Sequence, residues 1–200
     1  MRSASLRLAN FIDGDYTAPC NAHYLPVVEP ATGQTFAEVP ASHAADVDIA
    51  VAAARRAAPA WAATAPSERA RVLRRIADEI DARAESLAEE ESRDSGKPVS
   101  VARSIDIPRA AANFRHFAAQ AETFASESHD GEARTWNITI RQALGVVGCI
   151  SPWNLPLYLL TWKIAPALAA GNAVVAKPSE VTPVSAWLLG DIVRHAGLPS

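Results

Sequence analysis

Cysteine is scarce in this chain: the 200 residues hold two, Cys20 and Cys149. Two distant thiols make neither a disulfide framework nor a cysteine-based metal site, and a reducing, cytoplasmic setting is expected. The five histidines are scattered without metal-ligand spacing, so no metal is expected. There is no Lys/Arg-rich run. Basic residues alternate with acids along 67–94 and the net charge is −3, which argues against nucleic acid as a partner. Lysine is rare, three against sixteen arginines. Genome base composition is the plain explanation, but the scarcity draws attention to Lys97, Lys163 and Lys177. Long apolar runs are also missing. The longest stretch, 164–176, is broken by Pro166, Gly171 and Asn172, so no segment is expected to span a bilayer. The first ten residues are mixed and lack an apolar core, so no signal peptide is expected.

What is present is a globular composition. Hydrophobic residues make up 49%, enough for a sizeable core in one domain or one and a half. Asn10-Phe11-Ile12-Asp13-Gly14 reads as a strand entering an Asp-Gly turn, and Glu29-Pro30-Ala31-Thr32-Gly33 as a second turn before the alternating Thr35-Phe36-Ala37-Glu38-Val39. A small antiparallel N-terminal hairpin is predicted. Helices follow. The first is predicted over 44–62. A long one starts at Pro66 and runs to Gly96, with Val72, Leu73, Ile76, Ile80 and Leu87 forming one apolar stripe. The next carries Pro108, which should kink or split it. Phe114, Phe117 and Phe124 read as core packing. Residues 127–134 are polar and loop-like, and 135–141 alternate as an edge or hairpin strand.

After Gly145 the character changes. Val146-Val147-Gly148-Cys149-Ile150 and Ala173-Val174-Val175-Ala176 read as strands buried on both faces, each followed by a helix. Strand, helix, strand, helix with short connections is a parallel α/β sheet. Ligands of such sheets sit beyond the carboxyl ends of the strands. Ser151-Pro152-Trp153-Asn154 and Lys177-Pro178-Ser179-Glu180 occupy those ends. The phosphate fingerprint G-x-G-x-x-G is absent, so a dinucleotide, if bound, is not held in the common Rossmann manner. These residues alone imply an α/β domain with a ligand site at the sheet edge.

The stretch from Gly145 through Ile150-Ser151-Pro152-Trp153-Asn154-Leu155-Pro156 to Leu157 resembles the aldehyde dehydrogenase superfamily. So do Pro166-Ala167-Leu168-Ala169-Ala170-Gly171-Asn172, Lys177-Pro178-Ser179-Glu180 with Thr182-Pro183, and Ala196-Gly197-Leu198-Pro199. Phe11-Ile12-Asp13-Gly14 and Pro30-Ala31-Thr32-Gly33 extend the likeness over essentially the whole chain. Ser95-Gly96-Lys97-Pro98, Asp106-Ile107-Pro108-Arg109, Asn113-Phe114-Arg115 and residues 157–163 resemble the branch that oxidises 2-aminomuconic or 2-hydroxymuconic semialdehyde.

The resemblance implies roles. Asn154 matches an oxyanion-hole asparagine, although an Asn in a turn would look the same. Lys177 and Glu180, with Pro178 and Ser179, match the segment holding the adenosine ribose, and a carboxylate there favours NAD over NADP. The alternative is a solvated Lys/Glu pair at a helix entrance. Ile150, Ser151, Pro152 and Trp153 match the nicotinamide side, though Trp153 alone reads as core. Lys163 matches a lysine near the active site that tunes proton transfer, or is an ordinary helix lysine. Leu155, Tyr158 and Trp162 match the substrate tunnel; the last two share a helix face, which core packing explains equally well. Arg109 lies at a tunnel position and is expected to clamp a substrate carboxylate, the plain reading being a surface arginine beside a kink.

Cys149, inside a strand, does not match the family nucleophile, and Cys20 has no evident base partner. The catalytic cysteine, the general-base glutamate, the glycine-bearing phosphate segment and the catalytic domain are expected beyond residue 200. The expected fold is the N-terminal part of a Rossmann-like NAD-binding domain: hairpin and helices over 1–124, an oligomerisation β-arm over 125–143, and the first parallel βαβα part over 144–200. A dimer or tetramer is expected of the full-length protein. The alternatives are a non-catalytic nucleotide-binding or assembly module acting with a separate chain, and an acyl-phosphate reductase, which Ser151-Pro152-Trp153-Asn154 argues against.

Overall fold

The computed structural model describes residues 6–200. The signal-peptide reading begins in residues 1–5, outside the described residues.

Asp13 and Gly14 both take positive φ, 56° and 80°. A tight two-residue hairpin turn needs that backbone, and the chain doubles back there. β1 (Leu6–Arg7) is followed by the hairpin of β2 (Asn10–Ile12) and β3 (Asp15–Thr17). β4 (Tyr24–Glu29) and β5 (Gln34–Pro40) form a second hairpin, with a bulge at Val27/Val28, and β1 adds to β5 in parallel. Both turns marked in the sequence therefore close a hairpin, where one hairpin was expected. The first hairpin packs its aromatics on a distant helix, described below: the Tyr16 ring lies 5.3 Å from that of Trp187, and its hydroxyl donates to the Trp187 carbonyl at 2.9 Å.

α1 (Ala44–Ala63) starts at the Asp46 carboxylate, which accepts the N–H of His43 at 3.0 Å and of Cys20 at 2.8 Å. These backbone donors, His43 first, hold the Asp46 carboxyl down at about 2. The single long helix expected after Pro66 is two: α2 (Pro66–Ala82) and α3 (Ala84–Ser95). The break is at Arg83, with φ −109° and ψ 16°. Its guanidinium reaches Glu79 at 3.2 Å and Asp191 at 2.9 Å, so tertiary ion pairs meet at the break. No Pro or Gly marks the place, and Leu87 stays buried on the same stripe. Gly96 ends α3 at φ 76°, the left-handed cap a glycine provides.

α4 (Val99–Val101) runs into a π-helical turn over Ala102–Asp106 and then α5 (Ile107–Thr123). The kink expected at Pro108 takes this form. Proline lacks an N–H and crowds the carbonyl four residues back, and a widened turn relieves both. Phe114 is fully buried, but Phe124 is not core: it lies beyond α5, 65% exposed, beneath the Arg141 guanidinium. The expected loop at 127–134 holds β6 (Ser128–Asp130), which pairs with β7 (Trp136–Ile138) in an exposed hairpin.

β8 (Val146–Ile150), α6 (Pro156–Ala169), β9 (Ala173–Lys177) and α7 (Val184–His195) complete the described residues, with β8 and β9 parallel. These strands are not buried on both faces as expected. Cys149 and Ala173 are buried, whereas Ile150 is 70% exposed. Among the described residues the two strands pair only with each other, so both outer edges stay open. The core lies among α2, α5 and α6, centred on Leu73, Ile76, Phe114 and Leu160. Side chains stitch its rim: Trp61 Nε1 donates to the Leu168 carbonyl and Arg69 Nε to that of Ala169, each at 3.0 Å. Among the described residues no helix is long and apolar enough to cross a membrane.

Candidate active site

The pairing register builds the site. Ile150 lies opposite Lys177, so β8 and β9 end side by side. The Ser151 N–H donates to the Lys177 carbonyl at 3.1 Å, extending the pairing one step past β8. The two segments that follow therefore leave the same edge of the sheet, where parallel strands place a ligand crevice.

On the first segment Ser151 is buried, and its hydroxyl has no partner among the described residues. Pro152, Trp153 and Asn154 are exposed and Leu155 is half-buried. Pro156 then opens α6, a position where a missing N–H costs nothing. On the second segment Pro178 is half-buried and Ser179 buried, which presents the flanking charges outward. The Lys177 ammonium lies 2.8 Å from the Glu180 carboxylate and holds that carboxyl below its ordinary range. Both side chains are more than half exposed, so the pair itself adds little stability.

A second group gathers on α6 and α5. The rings of Tyr158 and Trp162 meet edge-on at 5.5 Å. Arg109 donates from Nη1 to the Tyr158 hydroxyl at 3.1 Å, and its guanidinium carbon lies 5.3 Å from the ring centroid. Asn113 fixes the backbone below, donating to the Tyr158 carbonyl at 3.1 Å and the Thr161 hydroxyl at 2.9 Å. Tyr158 is buried and Trp162 exposed, so this group has both an anchored and an open side. Lys163 is not part of it. At 3.6 residues per turn it lies roughly 140° around α6 from Tyr158, half-buried, where its charge acts on Cys149. Burial outweighs that charge and pushes the Cys149 thiol up.

Sequence reasoning missed a set of buried charges beneath these segments. Glu91 and Asp94 of α3 and Asp106 of the π turn are almost fully buried. Glu91 accepts the Leu157 N–H at 3.4 Å, at the start of α6, and Asp94 accepts the Val184 N–H at 2.8 Å, at the start of α7. The Lys97 ammonium pairs with Asp106 and donates to the Asn154 carbonyl at 3.4 Å. A signal was present: Leu87, Glu91 and Asp94 are spaced by four and three, which puts two acids on the apolar stripe.

Burial, helped by Glu91 and Glu90, pushes the Asp94 carboxyl up to about 7. The folded protein thus keeps a proton that the unfolded chain releases near its ordinary value of 3.8. Stability from this group should fall as pH rises from about 4 to about 7, by at most about 4 kcal/mol. Asp94→Asn keeps an acceptor for Val184 and should flatten that slope in urea midpoints measured at pH 5 and pH 8. An unchanged slope would remove Asp94 from the account.

The sequence outside this geometry agrees with one family. Residues 16–200 match the model of the aldehyde dehydrogenase family. The chain belongs to the aldehyde dehydrogenase family. It is 48% identical over 198 residues to the 2-aminomuconic semialdehyde dehydrogenase of Homo sapiens, covering 98% of this chain and 40% of that relative. It is 46% identical over 199 residues to the 2-hydroxymuconic semialdehyde dehydrogenase of Pseudomonas sp. (strain CF600), covering 96% and 41%. The crystal structure of PnpE from Pseudomonas sp. WBC-3 superposes with a TM-score of 0.93 at 41% identity, over 98% of this chain and 40% of that one. PnpE in complex with nicotinamide adenine dinucleotide superposes equally well, with a TM-score of 0.93. The chain spans about 40% of the length of these relatives.

Proposed function

We propose that this chain supplies the nucleotide-holding and oxyanion-stabilising part of an NAD-dependent aldehyde dehydrogenase. Its substrate would be an acidic semialdehyde, such as 2-aminomuconic or 2-hydroxymuconic semialdehyde, oxidised to the carboxylic acid. The observation that carries the reading is the Ile150–Lys177 register, which delivers Asn154, Lys177 and Glu180 to one sheet edge.

The donor set fits the nucleotide. An exposed carboxylate and an ammonium 2.8 Å apart match a ribose diol, which both donates and accepts. A carboxylate there repels a 2′-phosphate, favouring NAD over NADP. Ile150, Ser151, Pro152 and Trp153 are assigned to the nicotinamide side, where the orphaned Ser151 hydroxyl offers an unused polar group. Bound NAD supplies a hydride acceptor.

The chain's own residues do the rest of what is assigned here. The Asn154 amide donates to the aldehyde oxygen as negative charge grows on it during attack by a thiolate. We assign the nucleophile to neither thiol of this chain: Cys149 is buried inside β8, where burial also raises its thiol, and the Asp46 carboxylate raises that of Cys20. The nucleophile and the base are assigned to the part of the relatives' length that this chain does not span, and Lys163 is assigned to tuning the base. Leu155, Tyr158 and Trp162 line the substrate path. Arg109 uses one N–H on Tyr158 and keeps others for a carboxylate. The β6–β7 hairpin exposes Trp136 and Ile138, at 70% and 66%. We assign residues 125–143 to contact with a neighbouring subunit in a homodimer or homotetramer, 1–124 and 144–200 forming the nucleotide-binding part. Two unpaired thiols suit the cytoplasm.

Nucleotide binding tests the reading in a polypeptide of full family length carrying these residues. Glu180→Ala should raise the Kd for NAD at least about 10-fold, the weight of a lost charge-assisted hydrogen bond, and lower that for NADP by removing the repulsion of its 2′-phosphate. Unchanged affinity for both by titration calorimetry would remove Glu180 from the nucleotide.

A further inference from the structure

The backbone between Ser151 and Leu155 has few anchors. Pro152 has no N–H to give. Among the described residues, the backbone of Pro152, Trp153 and Asn154 makes one hydrogen bond outside its own segment, from the Lys97 ammonium to the Asn154 carbonyl. Lys97 itself is held at both ends. Gly96 before it takes the left-handed backbone that ends α3, and Pro98 after it fixes the next φ. The Ser92 hydroxyl donates to its carbonyl at 2.6 Å. Its ammonium is paired with Asp106, which is fully buried. A lysine that is only 14% exposed, clamped at its backbone and its head, is a fixed strut.

We infer that Lys97, anchored by Asp106, is a positioning residue for Asn154. The inference rests on Asn154 serving as the oxyanion donor. An oxyanion donor works only when aimed within a few tenths of an ångström of the developing charge, so its backbone must be held. Lys97 holds the carbonyl side of Asn154 and leaves its amide free for substrate. Asp106 confines the ammonium to that direction. Because the carboxylate and the ammonium are buried together, each needs the other.

The test uses the polypeptide of full family length. Lys97→Met alone leaves a buried charge on Asp106 and risks misfolding, so Lys97→Met with Asp106→Asn is made beside it. The paired variant should lower kcat about 100-fold, approaching the loss of one oxyanion donor, with the Kd for NAD within twofold. Adding Asn154→Ala to it should cost no more than about threefold further, because the donor is already misplaced. Lys97→Arg should recover part of kcat. A folded paired variant with kcat within twofold of the parent overturns the inference, and so does a full Asn154→Ala penalty on top of the paired variant. If Asn154→Ala in the parent loses nothing, the oxyanion reading fails instead. Lys97 is then judged by amide hydrogen exchange across 151–157. Faster exchange in the paired variant, with α2 and α5 still protected, keeps the strut; unchanged exchange removes it.

Discussion

Asn154→Ala, in a polypeptide of full family length, is expected to lower kcat by about 100- to 1000-fold, about 3–4 kcal/mol of barrier. The Kd for NAD should change little. The argument is that a single amide N–H aimed at a growing oxyanion acts mainly in the transition state, so its loss appears in kcat and not in nucleotide affinity. Asn154 is exposed at the tip of β8, and its carbonyl, not its amide, takes the contact from Lys97. Its removal therefore leaves no buried group unpaired and should not unfold the protein. Single-turnover rates with a semialdehyde check this. An Asn154→Ala protein that keeps its rate would show that the oxyanion is stabilised elsewhere.

Arg109→Ala is expected to raise KM for acidic semialdehydes by about 10- to 100-fold and to leave neutral aldehydes within about twofold. A charge-assisted pair to a carboxylate is worth about 1.5–3 kcal/mol. A neutral aldehyde makes no such pair, so the difference isolates the guanidinium. Tyr158 limits the side effects of the change. It is buried among α6 contacts, and Asn113 holds its backbone whether or not Arg109 is present. Equal effects on acidic and neutral substrates would mean that Arg109 only packs against the Tyr158 ring.

Much of the scaffold was legible in the sequence because local rules determine it. The Asp13–Gly14 turn carries its backbone requirement in its residue types, and the stripe from Val72 to Ile80 carries the helical period. The tips after β8 and β9 were readable because a crossover helix between two adjacent strands makes them parallel. The break at Arg83 was not, since it coincides with ion pairs to Asp191, 108 residues away. Nor was the exposure of Ile150. An apolar run states that a strand can be covered, not what covers it. Lys97 stood out by rarity and within Ser95-Gly96-Lys97-Pro98, and neither signal says what it touches. Its contact with Asn154 spans 57 residues, beyond any local periodicity, and only the π turn and α6 bring the two together. The acids Glu91 and Asp94 were visible as misfits on an apolar stripe, but which backbone groups they serve required the fold.

The central claim is that one edge of the β8–β9 pair holds both the nucleotide and the oxyanion donor. A crystal structure with NAD bound tests it most directly. The account predicts the adenosine ribose against Lys177 and Glu180 and the nicotinamide beside Ser151 to Trp153, with the Asn154 amide facing the same crevice. A nucleotide seated away from that edge, or an Asn154 amide pointing out of the crevice, would contradict it.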